Sequence, residues 1–422
     1  MIYNNKCSFV VRNSKNIFYK FTLNNQKNLF LQSYDYRGLI SSSIFKENIN
    51  NFSIDIDSMD KIHILYTSTS GNIKYTVYPS SFHKDINVLN INEKYNISFL
   101  KLKIVNFKPH IFYILEDKLQ SPYKSIHHIF SHNNSLHNIK IEDISFSKYI
   151  YPYIVDTVND TIYLFYTTNG KKFKIKKFDT NSGNWSNYDD TLSISSANNA
   201  NFLINNKNIV LVCYNSSFNK NIQTFIKYKE LNSYNFQWSD PVILSDETSN
   251  STHANIINKS GNTYVTWEEN GQIVYRKSFC GMNDWSSKKI LTSKKEKFFT
   301  GIYLSNHNTD KDYKSILSTI DINIIPYPII NLEGNTSNSF YINKDPINNS
   351  IFIPTTKKTA FNKNEKKYIK DLQNMLVDKD KKIIELSQYN LILKNELETK
   401  NKQLENLSQK LKKNWLWKFF KR

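Results

Sequence analysis

The chain has 422 residues, 39% of them hydrophobic, with 27 Tyr and 27 Phe, which supplies a packed core and excludes general disorder. Its three cysteines, Cys7, Cys213 and Cys280, stand far apart without a CxxC pair, which excludes a disulfide framework and a zinc-ribbon spacing. The net charge of +19 is uneven: Lys357 to Arg422 holds 18 basic and 8 acidic residues, so more than half the excess lies in under a sixth of the chain and points to an anionic partner there.

The opening Met1-Ile2-Tyr3-Asn4-Asn5-Lys6 leads into no apolar signal segment. No apolar run approaches the ~20 residues of a membrane span. The expected location is cytoplasmic or peripheral to a membrane.

From there an apolar strand closed by an aromatic recurs. Phe18-Tyr19-Lys20-Phe21 is the first copy, then Ile62-His63-Ile64-Leu65-Tyr66, His110-Ile111-Phe112-Tyr113 and Ile162-Tyr163-Leu164-Phe165-Tyr166. Val210-Leu211-Val212-Cys213-Tyr214 and Tyr264-Val265-Thr266-Trp267 follow, and Ser315-Ile316-Leu317-Ser318 is a weaker copy. From Tyr66 to Trp267 the closing aromatics are spaced 47, 53, 48 and 53 residues apart, the period of a repeat fold. A turn and a second strand follow each copy: Ser70-Gly71-Asn72, Asn169-Gly170 and Asn270-Gly271 are hairpin signals, because the mirror-image turn needs positive φ. Three copies share a third element, running from Trp185-Ser186 to Leu192-Ser193, Trp238-Ser239 to Leu244-Ser245, and Trp285-Ser286 to Leu291-Thr292. A fourth strand precedes the hairpin, as in Phe52–Asp57 or Tyr151–Val155.

Four short strands per ~50 residues predict an all-β propeller of about seven blades, or six if the last copy is not a blade. The aromatic-ended hairpin and recurrent Trp-Ser resemble the sialidase-like and bacterial-neuraminidase-repeat propellers, and also the tandem-repeat propeller lectins, over roughly residues 10–345. The resemblance lies in the repeat and not in site residues. The Asp-box of that family, S-x-D-x-G-x-x-W, survives only as a trace in Ser182-Gly183-Asn184-Trp185.

A sialidase needs three arginines to grip a carboxylate, and planar guanidinium makes Lys a poor substitute. Before the tail this chain has only Arg12, Arg37 and Arg276, with no motif framing them. Other glycosidases need two facing carboxylates. Asp55, Asp57 and Asp156 fall on innermost strands, with Glu268 and Glu269 just after one, and alternation predicts Asp55 and Asp57 on one face. Such acids also suit sugar hydroxyls or a hydrated channel. His127, His128, His132 and His137 are expected to scatter across a hairpin at Asn133–Ser135, so no metal and no cofactor is expected. No nucleophile elbow or Gly-rich phosphate loop is present, so the reading is a non-enzyme, with a divergent glycoside hydrolase as the alternative. The candidate ligand residues are Trp185, Trp238 and Trp285 with Asp55, Asp57 and Glu268, although tryptophans in step with the fold also suit core packing.

The propeller region is taken as 1–354 and a linker as 355–361. Asn362 and Glu365 read as an N-cap with its capping acid. A heptad over 362–414 then places Ile369, Leu376, Ile383, Asn390, Leu397, Leu404 and Leu411 at a, and Leu372, Leu386, Leu393 and Leu407 at d. Lys379, Lys400 and Asn414 fill the other d positions. A buried Asn390 favours a parallel dimer. The tail at 415–422 continues Lys412-Lys413 with Trp415, Trp417, Lys418, Phe419, Phe420, Lys421 and Arg422. Tryptophans among basic residues suit an anionic membrane surface, or a protein partner, better than nucleic acid. The sequence therefore predicts a scaffold-like binding and assembly protein: a propeller for a glycan or protein ligand, a coiled coil for dimerisation and a tail for attachment.

Overall fold

A computed structural model gives the chain as two compact units, Met1–Phe340 and Tyr341–Arg422. It describes residues 8–328, apart from 80–84, 93, 119–123, 146–151, 169–171, 195–196, 233–236, 279–281, 283, 293–297 and 322–324. In the second unit it describes Thr399, which is helical and exposed. The predicted linker, coiled coil and tail otherwise lie outside the described residues, as do Cys7, Cys280 and the Asn169-Gly170 turn. Among the described residues no helix is long and apolar enough to cross a membrane.

Residues 8–290 form antiparallel meanders that follow one another in chain order. Sheet 1 begins with β1 (Ser8–Arg12), β2 (Phe18–Leu23), β3 (Leu29–Asp35) and β4 (Gly38–Lys46). Sheet 2 is β5 (Ile49–Ile56), β6 (Ile62–Ser68), β7 (Ile73–Tyr78) and β8 (Ile86–Leu89). Sheet 3 is β9 (Tyr95–Val105), β10 (Lys108–Asp117), β11 (Lys124–His132) and β12 (Ser135–Ile144). Sheet 4 is β13 (Tyr153–Val158), β14 (Thr161–Thr167), β15 (Phe173–Asp179) and β16 (Asn184–Asp189). Sheet 5 is β17 (Ala197–Ile204), β18 (Ile209–Phe218), β19 (Asn221–Glu230) and β20 (Val242–Ile243). Sheet 6 begins with β21 (Ser251–Lys259), β22 (Asn262–Glu269), β23 (Gln272–Ser278) and β24 (Lys289–Ile290).

The six strong copies of the repeat are the second strands β2, β6, β10, β14, β18 and β22. From β6 to β22 these strands read as continuous apolar runs because each is buried on both faces. Side chains alternate between two neighbours: Ile111 and Tyr113 pack toward sheet 2, whereas Phe112 and Ile114 pack toward sheet 4. Val210, Val212 and Tyr214 meet sheet 4 while Leu211 and Cys213 meet sheet 6. Fully burying one such large apolar side chain contributes roughly 1.5–3 kcal/mol.

Local chemistry sets the turns. At Asn13, Asp57 and Asn205 the Oδ1 atom accepts the main-chain N–H groups two and four residues on, at 2.8–3.0 Å. Three residues after each, Asn16, Asp60 and Asn208 take φ of +64°, +63° and +57°, a conformation that Asn and Asp tolerate. The predicted mirror-image turn is present at Asn270 and Gly271, with φ +51° and +73°. The Trp-Ser and Leu-Ser elements close the outer edge. Ser239 and Ser286 accept the N–H of Tyr228 and Lys277, and Ser245 and Thr292 accept those of Thr224 and Ile273.

Residues 298–328 close the ring. β25 (Phe298–Ser305) runs parallel to β1, from Ser8 opposite Gly301 to Arg12 opposite Ser305. A 3-10 turn (Asn308–Asp310) leads to β26 (Lys314–Ser315), which pairs with β21 of sheet 6. β27 (Ser318–Asp321) and β28 (Tyr327–Pro328) then return to extend sheet 1 beside β25. Tyr313 packs against the apolar clusters on both sides of this seam. The described residues thus form a six-bladed β-propeller, its first and last blades joined by one C-terminal segment. The copy at Ser315–Ser318 is not a seventh blade. Ser315 ends one short strand and Ser318 begins another in a different sheet, and Ile316 packs both between sheets 1 and 2 and between sheets 4 and 5, which lie across the ring.

Candidate functional site

The centre of the ring is occupied by the closing segment. Lys314 Nζ donates to the carbonyl oxygens of Thr157 and Ile204, at 3.1 and 2.8 Å, and pairs with Asp156 Oδ1 at 2.8 Å. The Asn255 amide donates to the carbonyl of buried Leu317. The acids expected at this rim act as fasteners between blades. Asp55 Oδ2 accepts the Ile104 N–H of β9, and Asp156 Oδ2 accepts the Ile204 N–H of β17, each at 2.7 Å. Asp55 lies opposite His63 of β6, the residue that Asp57 also meets. β5 ends at Ile56, so Asp57 belongs to the turn, where its Oδ2 meets His63 Nε2 at 3.1 Å. Glu268 lies on the surface, paired with His253 at 3.0 Å.

The three tryptophans lie near the outer strands, each half-buried at a boundary between blades. Trp238 Nε1 donates to Asp189 at 3.0 Å, beside the buried Lys229–Asp189 ion pair. Trp285 Nε1 donates to the Met282 carbonyl at 2.9 Å. Trp185 lines a cleft of about 390 Å³ between sheets 3 and 4. Sequence reasoning scattered the four histidines, but two meet here. His132 and His137 flank the turn at Asn133 and Asn134, both with positive φ, and both line the cleft. His127 and His128, being adjacent on β11, point to opposite faces: His127 stacks on Tyr113, and His128 is buried against Phe112.

The cleft wall comprises aromatic and polar groups on opposed blades. Sheet 3 supplies Phe130, His132, His137 and Lys140, and sheet 4 supplies Lys176, Asn184 and Trp185. His137 stacks on Phe130 at 5.2 Å, which fixes its ring. Lys176 is held by Glu142 at 3.0 Å and by the Ile141 carbonyl at 3.2 Å. Gly183, with φ +71°, turns the chain into β16, and a Cβ there would lie 3.0 Å from the His132 ring, so a larger residue would need that ring to shift.

Trp185 is anchored from behind. Its Nε1–H donates to His128 Nδ1 at 3.3 Å, and because indole nitrogen only donates, His128 carries its proton on Nε2 and donates to His110 Nδ1 at 3.1 Å. Burial holds both imidazoles neutral: it pushes His110 down to about 4, aided by Lys108, and it lowers His128 well below the ordinary value, aided by His110. A neutral, hydrogen-bonded histidine pair thus fixes the orientation of the indole at the cleft.

No family model and no curated protein matches this chain. Among solved structures it is similar to a fucose-specific lectin from Aleuria aurantia, at 11% identity and a TM-score of 0.41, over 68% of this chain and 95% of that one. It is similar also to the SapL1 lectin in complex with alpha methyl fucoside, at 9% identity and a TM-score of 0.39, over 68% and 97% of the two chains. The Hadza microbial sialidase Hz136 is similar at 9% identity and a TM-score of 0.39, over 63% of each chain. These likenesses are distant, and the six-bladed ring stands on its own strand order and register.

Proposed function

We propose that this chain is a non-catalytic glycan-binding protein, with its sugar site in the cleft between sheets 3 and 4. The observation that carries this reading is the meeting of Trp185, held by a fixed hydrogen bond, with His132, His137, Asn184 and two lysines around about 390 Å³. A sugar ring presents an apolar C–H face, which suits an aromatic side chain, and hydroxyls, which suit convergent N–H groups. Binding is favoured over hydrolysis because the acids at the channel, Asp55 and Asp156, are already engaged by backbone N–H groups and Lys314. The test is a glycan array with the full chain. Trp185→Ala is expected to weaken the selected glycan at least tenfold, about 1.4 kcal/mol. Silence of the full chain, or equal binding by the variant, refutes the site, and turnover of an arrayed glycan refutes the non-catalytic part.

The reading extends to assembly. The heptad over 362–414 pairs two copies in parallel, and the tail at 415–422 attaches them to an anionic membrane. It is supported by the aliphatic residues at most a and d positions, by Asn390 at one a position, and by the basic, aromatic composition of the tail. The full chain is expected to sediment as a dimer at micromolar concentration, with Leu386→Asp plus Leu393→Asp weakening it. Removal of residues 410–422 is expected to abolish co-flotation with phosphatidylserine vesicles. Unchanged sedimentation or flotation refutes the corresponding part.

A further inference from the structure

Among the described residues, strand β4 is the outer edge of sheet 1, with no strand beyond it. Of its nine residues, Leu39, Ile40 and Ile44 are 56%, 55% and 46% exposed, and no charge falls between Arg37 and Lys46. Soluble proteins guard such edges with short strands or charges. Most of the other outer strands here follow that rule: β20 and β24 have two residues each, β8 has four, and β12 carries Lys140, Glu142 and Asp143, whereas β16 has six residues that are mostly polar.

β4 is also self-complementary. Leu39-Ile40-Ser41-Ser42-Ser43-Ile44-Phe45 reads the same in polarity from either end, with Ser42 at its centre. Antiparallel pairing of two copies about a two-fold axis at Ser42 sets each residue opposite the one equally far beyond the centre. Serine then faces serine, and the apolar end Leu39-Ile40 of each copy meets the apolar end Ile44-Phe45 of the other. The same register brings Arg37, just before the strand, opposite Glu47, just after it, once at each end. Both are exposed; Arg37, its side chain 74% accessible, is paired with Asp35 of its own chain at 2.9 Å, and the contact between copies adds Glu47 to that pair. Ser41 to Ile44 pair regularly with β3, so the two-fold axis lies in the straight part of the edge, and Ile40 and Phe45 are the extra residues at the two flanking register shifts.

We propose that β4 is a self-association surface: two copies of this chain join their first blades edge to edge, antiparallel about Ser42, with Arg37 of each copy against Glu47 of the other. This contact is separate from the heptad and does not depend on the glycan reading. In an antiparallel pair, opposite Cα atoms lie ~4.5–5.5 Å apart, within the ~4.4–6.8 Å span of a disulfide. In the full chain, Ser42→Cys is therefore expected to give an oxidised, reducible dimer. Leu39→Cys, equally exposed but ~20 Å from its twin in this register, is expected to give little. Adding Arg37→Glu to Ser42→Cys is expected to lower the dimer yield several-fold, and adding Glu47→Arg as well to restore it. Equal linking by Ser42→Cys and Leu39→Cys, absence of the Ser42→Cys dimer, or failure of the double charge reversal to restore it would overturn the proposal. Dimerisation through the coiled coil alone predicts no difference between the two cysteine positions.

Discussion

Replacing Asp310 with Ala is expected to destabilise the propeller by about 3–5 kcal/mol, the cost of leaving one member of a buried ion pair without its partner. Arg12 Nη1 meets Asp310 Oδ2 at 2.8 Å, with the side chains 9% and 1% exposed. The hydroxyls of Tyr303 and Ser305 donate to the same oxygen at 2.5 and 2.8 Å, and that of Tyr327 donates to Oδ1 at 2.8 Å. Burial alone would raise this carboxyl, but the hydrogen bonds from Tyr303 and Arg12, reinforced by the Arg12 charge and Tyr327, outweigh it and hold the pKa below the ordinary range. Because several donors converge on the acid, its loss is expected to cost more than Arg12→Met. A fall in Tm of roughly 4–8 °C follows for a domain of this size. The effect has an address. Asp310 clasps β25 to β1, so amide exchange in β1 and β25 should accelerate ahead of that in β10 and β14. Uniform acceleration across the blades, or a loss under 1 kcal/mol by urea unfolding, would sink the idea that this contact locks the ring.

That clasp could not be read from the sequence, because Arg12 and Asp310 are 298 residues apart and neither sits in a motif. What could be read was local. The second strand of each blade announces itself because it is buried on both faces, and Asn270-Gly271 marks a turn because few other pairs accept its φ. The Trp-Ser and Leu-Ser repeats were legible as a pattern, and their cause is the hydroxyl that Ser239, Ser245, Ser286 and Thr292 each offer to a backbone N–H. The apolar copy at Ser315–Ser318 misled on blade number. Composition cannot distinguish a strand that pairs with its neighbours in sequence from a segment whose Ile316 fills the middle of a ring.

The cleft was half legible. Trp185 was a candidate from its repeat, but its partners come from the facing blade, and no spacing rule connects β12 to β16. A signal for the histidines was available: His132 and His137 flank a two-residue turn, so they end on neighbouring strands near one another. Asp55 and Asp156 were visible as innermost acids, and their role as fasteners was not, because the Ile104 and Ile204 N–H groups they accept lie 49 and 48 residues away.

Lowering the pH from 7 to 5 is expected to remove about 2 kcal/mol of stability through His110 alone, with a further loss in the same direction through His128. Both are neutral in the fold, His110 with its pKa lowered to about 4 and His128 well below its ordinary value, chiefly by burial. In the unfolded chain both protonate near ~6.5. Between those values the unfolded state binds more protons than the folded one, so stability falls with falling pH across pH 6.5 to 4. The carboxylates of Asp57, Asp189 and Asp310 are held below their ordinary value of 3.8, so their stabilisation is present throughout this window and is lost only at lower pH. The two effects therefore separate on the pH axis. Urea unfolding at pH 7 and pH 5 reads the total, and His110→Phe is expected to reduce the pH-dependent loss by about 2 kcal/mol even if its stability at pH 7 changes. A slope unchanged by that variant, or a loss under 1 kcal/mol in the native chain, would mean that the imidazoles accept protons inside the fold. Retention of the neutral pair matters to the cleft, since protonating His128 at Nδ1 would remove the acceptor that holds the Trp185 indole. Glycan affinity that depends on Trp185 should then persist through pH 5 for as long as the propeller stays folded.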